Sequence, residues 1–280
     1  MTLDKVLVPV LDGHPGVFDR EWPLRVADID RYGRLRLDAA ARHIQDIGQD
    51  QLRELGFEGI HPFWIVRRTI IDLIKPIQFQ DMLRLRRWCS ATSTRWCEKR
   101  VRIDGRKGGL IESEAFWINI NPHTLTPSRI SDEFLEGLHA TTNVRRLKWT
   151  PYLKPGNRED ATQIRYYPVR VTDIDLFNHM NNSVYWSVVE DYLSATPELL
   201  RGPIRVTIEH EAPIALGRQA GDHRPRPSRG FRRQVRTRTG RPNCHHTHIR
   251  QRRRDQGHRI HLRPIAASIP AGGRLDGGQR

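Results

Sequence analysis

Residues able to do acid–base work crowd one short stretch of this 280-residue chain, Asp173-Ile-Asp175-Leu-Phe-Asn178-His179-Met-Asn181-Asn182. A His and a carboxylate side by side move protons near neutral pH. Just beyond lies a predicted helix start, whose free N–H groups and positive potential suit a developing oxyanion. A plainer reading competes: Asn181, Asn182 and Ser183 cap the helix, and the two Asp make loop hydrogen bonds. Further along, Glu209-His210-Glu211 falls in a predicted strand, so the two acids share one face and His210 takes the other. Cys244-His245-His246-Thr-His248 gathers metal-binding side chains without the paired ligand spacing of a zinc site. No metal is expected there.

Those residues sit in a repeated framework. RVADID at 25–30 returns as RVTDID at 170–175, an offset of 145, and IDLIKPIQFQD at 71–81 returns as IEHEAPIALGR at 208–218, an offset of 137. Two ordered matches point to duplication. On that alignment Glu209 matches Asp72, and Glu211 replaces Ile74 at a position expected to face inward, where a carboxylate is costly to bury without a purpose. An exposed edge strand with solvated acids is the alternative.

In the first copy an extended stretch, Trp22–Ile29, leads to a polar loop at Gly33. A helix follows from the N-cap Asp38 to a stop at Gly56, with Ile44, Ile47, Leu52 and Leu55 as its apolar stripe. Strand-like runs follow at Phe63–Ile74, Met82–Cys89, Arg95–Ile103 and Leu110–Ile120, with a hairpin over Asp104-Gly105 to Gly108-Gly109. One helix and an antiparallel meander make an α+β unit. The second copy repeats this with a strand at Arg165–Val171, a helix from Ser183 and a strand at Ile204–Glu211. The expected boundaries are an N-terminal lead (1–17), a first domain (18–140), a linker (141–163), a truncated second domain (164–217) and a basic, disordered tail (218–280).

The tail carries the charge. From Gly217 to Arg280 there are 17 Arg, no Lys, 3 Asp and no Glu, whereas the first 216 residues hold 30 basic and 29 acidic groups. Only 13 of those last 64 residues are apolar, too few to offset the entropy of ordering them. Seventeen Arg could bind phosphates, but the tail's lone aromatic, Phe231, offers no stacking platform, so a nucleic-acid partner is not expected. Three cysteines give no disulfide framework, and Cys89 and Cys97, each beside a Trp, read as core residues in a reducing, cytoplasmic setting. The N-terminus does not read as a signal peptide, and no apolar run reaches the roughly 18 residues of a membrane span.

The duplication, the DIDLFNHMNNSVYW loop and the acidic strand after its helix resemble the acyl-acyl-carrier-protein thioesterase family, a double hotdog fold in which each sheet wraps one long helix. The resemblance covers residues 18–217. It implies hydrolysis of the thioester between a fatty acyl chain and the phosphopantetheine arm of acyl carrier protein, releasing free fatty acid without a cofactor. By position, Asp175 and His179 match the family's catalytic Asp and His, and Glu211 its catalytic Glu. Phe177 stands where the family has Asn, so Asn178 is the substitute candidate for substrate binding. Ala212 follows Glu211 where some relatives have Cys, which disfavours a cysteine acyl-enzyme. The first copy, DIDRYGRLRL, lacks the His and amides and is expected to hold the acyl chain. An acyl-CoA thioesterase or another hotdog enzyme is the rival within the fold, and a homodimer is compatible with it.

The break at Arg218 suggests a frameshifted gene, with a natural basic tail as the alternative. Read one nucleotide forward with free third bases, Asn243–Arg250 can become TVTTLTYV and Arg254–Arg263 can become ETKAIASIFA, both β-rich.

Overall fold

The computed structural model describes residues 12–153, 163–211, 213–214, 232–239, 245–251 and 257–264. In the first copy β1 (Phe18–Pro23) and a 3₁₀ turn (Val26–Asp28) precede α1 (Leu37–Glu54). Four strands follow: β2 (Trp64–Lys75), β3 (Met82–Thr92), β4 (Trp96–Gly105) and β5 (Leu110–Asn119). The turn breaks the extended run expected to reach Ile29, and Gly56 ends the helical segment at φ +75°. A short helix that periodicity did not suggest, α2 (Asp132–His139), starts where Ser131 Oγ accepts the Phe134 N–H. The second copy supplies β6 (Gln163–Pro168), a matching turn at Val171–Asp173, α3 (Val184–Ala195) and β7 (Ile204–His210).

Within the expected basic tail, the described stretches between 232 and 264 are extended. Three strands lie there: β8 (Arg232–Thr239), β9 (His245–Gln251) and β10 (Gly257–Pro264). Without them β7 would present a row of unpaired backbone groups. β10 pairs with it antiparallel, Ile260 opposite Ile208 and Leu262 opposite Val206. The pattern of β10, with Ile260 and Leu262 between Arg259, His261 and Arg263, is a period-two signal that low overall apolarity concealed. Residues 215–231 and 265–280 lie outside the described residues.

All ten strands join one antiparallel sheet, ordered β1-β3-β4-β5-β2-β7-β10-β9-β8-β6. Matching β1–β5 with β6–β10 turns the order into its own mirror, with the β2·β7 pairing at the centre, Ile71 opposite Val206. The sheet's inner face and both helices enclose one core, including Ile44, Ile47, Ile71, Leu73, Tyr185, Trp186, Val206 and Ile208. At roughly 25 cal/mol per Å² this burial is the main force holding the copies together. The segment after α2 straps the outer face. Thr92 N donates to Val144 O, Leu147 N to Thr92 O, and the Arg68 guanidinium lies 3.5 Å from the Tyr152 ring centre. Among the described residues no helix is long and apolar enough to cross a membrane.

Candidate active site

The duplication is reproduced bond by bond in the two loops. Asp30 N donates to Arg34 O and Gly33 N to Asp30 O; at an offset of 145, Asp175 N donates to His179 O and Asn178 N to Asp175 O. Leu35 N reaches Ile77 O at 2.8 Å, and Met180 N reaches Ile214 O at 2.7 Å. Gly33 has φ +81° and Asn178 has φ +58°. Asn is among the few side chains that tolerate the left-handed region, so the turn itself calls for Asn178, whose side chain is exposed.

The Asp175 carboxylate is held from two sides. Oδ1 accepts the Phe177 N–H at 3.0 Å, and Oδ2 accepts Asn181 Nδ2 at 3.3 Å. Asn181 Oδ1 in turn accepts the Ser183 N–H and hydroxyl, so one amide ties the carboxylate to the start of α3. The Asn181 side chain thus bridges the Asp175 carboxylate and Ser183, the residue before α3. The His179 side chain is half-buried and makes no hydrogen bond among the described residues.

Glu211 departs from the inward placement expected of it. It is exposed, one residue past β7, and its carbonyl accepts Arg67 Nη1 at 3.2 Å. The core-facing row of β7 is Ile204, Val206 and Ile208, and alternation adds His210 to it rather than Glu211. His210 packs edge-on against Tyr185 with ring centres 5.0 Å apart, and burial pushes its pKa down to about 3. Glu209, on the opposite face, accepts the Tyr152 and Leu153 N–H groups and fastens the strap.

A cavity of about 140 Å³ runs from this loop into the first copy. Asp175, Phe177 and Asn182 line it from the second copy, and Gln45, Trp64 and Lys99 are among its lining from the first. Phe177 also meets Phe63 edge-on, with ring centres 4.3 Å apart. Gln45, missed by motif reading, is the α1 counterpart of Glu190 on α3 at the same offset of 145. In the first copy Glu190 forms a bidentate pair with Arg34, at 3.1 and 2.5 Å, and accepts the Leu37 N–H at 2.5 Å. That carboxylate, with Asp30 on Arg34 Nε, fills the first loop's pocket with a closed ion cluster. In the second copy the matching positions are Gln45, His179 and Asn182. Gln45 Oε1 is buried without a partner, and the Asn182 N–H finds no acceptor among the described residues. The same geometry is sealed in one copy and open in the other.

Residues 15–138 match the acyl-ACP thioesterase N-terminal domain, and residues 156–255 match the acyl-ACP thioesterase C-terminal domain. The chain belongs to the acyl-ACP thioesterase family. The C-terminal match runs past 217 and takes in β8 and β9. An uncharacterized protein of Mycobacterium tuberculosis, Rv2001, is 44% identical over 201 residues, covering 72% of this chain and 79% of that protein. The fold agrees with an acyl-ACP thioesterase from Bacteroides thetaiotaomicron: TM-score 0.71 and 13% identity over 89% of this chain and 97% of that one. The 12:0-ACP thioesterase of Umbellularia californica gives 0.66 and 17% over 90% and 97%. The architecture is thus the double hotdog, and the acyl-ACP thioesterase chain is a thioester hydrolase acting on acyl-acyl carrier protein.

Among the described residues no cluster of His, Cys, Asp and Glu is arranged to hold a metal. Cys244 lies outside them.

Proposed function

We propose that hydrolysis proceeds by direct attack of water at the mouth of the cavity, with Glu211 as general base. Water adds to the thioester carbon while its proton passes to Glu211. The carbonyl oxygen becomes an oxyanion on the Asn182 N–H. Collapse breaks the C–S bond, the pantetheine sulfur takes the proton back from Glu211, and the fatty acid leaves. Asp175, fixed by Asn181, and His179 orient the thioester; Asn178, on the exposed turn, would meet the pantetheine arm. The observation that carries this reading is the Glu190 carboxylate oxygen on the Leu37 N–H. It occupies in the closed copy the place a substrate oxygen would take on Asn182 in the open one. Gln45, from the other copy, is a positioning residue whose amide faces the same space.

The acyl chain would run into the first copy, the reaction taking place in the cytoplasm. Side-by-side assays on acyl-carrier-protein, acyl-CoA and enoyl thioesters test the reading. Acyl-carrier-protein turnover lowered roughly 10²-fold or more by Glu211→Gln is expected; activity on enoyl hydration alone would overturn it.

A further inference from the structure

A cavity meant only for hydrocarbon should be lined by hydrocarbon, and this one is not. Lys99 on β4 lines it while only 4% exposed, and Arg87 on β3 lines it while 8% exposed. Among the described residues neither forms a salt bridge. Arg87 Nη1 donates to Gln51 Oε1, and Lys99 Nζ lies 5.8 Å from the centre of the Phe134 ring. No carboxylate among the described residues faces either cation. The neighbouring thiols supply no counter-charge: burial raises Cys89, and pushes Cys97 up to about 12. Two unpaired cations held out of water are costly. A bound ligand carrying its own negative charge would reverse that cost.

Their position gives the ligand's shape. A second cavity, of about 280 Å³, lies towards Pro15, Leu55 and Gly137, and Lys99 and Phe134 line both. An acyl chain entering past Asp175 and Phe177 therefore meets the ammonium at the boundary between the two cavities. Leu52, Trp64 and Trp117 line the first cavity with apolar surface.

We infer that the first copy carries an anion subsite, Lys99 with Arg87, that selects acyl chains bearing a carboxylate at their far end over plain alkanoyl chains. This rests on the reading of the second-copy loop as the thioester site, but binding without turnover tests it separately. The probes are non-hydrolysable acyl-pantetheine amides in a length series, each as plain alkanoyl and as ω-carboxyalkanoyl, titrated against the full chain. A charge-assisted bond in a dry site predicts that one length of the carboxylated series binds roughly tenfold or more tighter than its plain partner. Lys99→Met should erase that preference and leave plain-chain binding equal or tighter; Lys99→Gln serves as a second, polar variant. Equal or weaker binding of every carboxylated probe to the wild-type chain overturns the inference, as does a preference that survives both variants. If the preference appears but no thioester is cleaved, the subsite stands and the catalytic reading falls.

Discussion

Gln45 and Glu190 occupy the same position on two copies of one helix, and the carboxylate that closes the first-copy loop on Arg34 has a neutral amide as its counterpart. Glu190 binds Arg34 and the Leu37 N–H; among the described residues Gln45 Oε1 and the Asn182 N–H have no partner. Gln45→Ala is therefore expected to lower kcat about tenfold or more with KM nearly unchanged, the signature of an interaction made in the transition state. Steady-state kinetics on one acyl-carrier-protein substrate checks this, and a loss confined to KM contradicts it.

The opposite substitution tests the sealed copy. Glu190→Gln strands Arg34 in a buried setting with only Asp30 as counter-ion, and should cost about 3–5 kcal/mol of stability. Chemical denaturation of both proteins measures the difference. Any enzyme that remains folded should retain the wild-type KM.

Removing the proposed chemistry should not remove the fold. Glu211→Gln and Asp175→Asn are each expected to reduce thioester hydrolysis roughly 10²-fold or more, with melting curves close to wild type because Glu211 is exposed. Unchanged rates in both variants would remove these residues from the mechanism.

Lys99 predicts an unusual pH dependence of stability. Burial and the neighbouring Arg87 push its pKa down to about 8 from 10.5. Between those values the unfolded chain holds a proton that the folded chain has released, so stability rises with pH across this window. Below pH 8 the full penalty is present, about 3 kcal/mol. Lys99→Met should raise the melting temperature at pH 7, and the gain should shrink as pH approaches 10.5.

The genetic proposal for the tail is separately testable. β9 and β10 fall on the two stretches whose shifted reading is rich in β-formers, Asn243–Arg250 and Arg254–Arg263. Resequencing around codon 217 and expressing the frame-restored protein should give a more stable and more active enzyme. A shifted frame without β pattern, or a stable and fully active chain as written, would disprove the frameshift.

Much of this was legible in the residues. Most of the fall in offset from 145 to 137 matches the shorter second helix, 12 residues against 18 in the first, and both loops hold the same backbone bonds. The Asp175–Asn182 cluster could be read from composition alone. Glu211 was misplaced because the repeat identifies equivalent positions but not which row faces the helix; Leu73 and His210, not Ile74 and Glu211, form that row. Lys99 stayed hidden because a charged residue in a strand normally marks a wet face, and its neighbours Cys97 and Val101 only show their burial once the helix is placed. Gln45 was within reach: sliding the helix by 145 puts it on Glu190, but the significance appears only when Glu190 is seen gripping Arg34.

The β2·β7 pairing sews both copies into one continuous sheet. The cavity draws Asp175 and Asn182 from one copy and Gln45 from the other, yet a single polypeptide carries both. Assembly is therefore unimolecular, and the two halves face each other at a fixed local concentration however dilute the solution. Specific activity should stay constant on dilution, and each half is free to diverge without losing its partner.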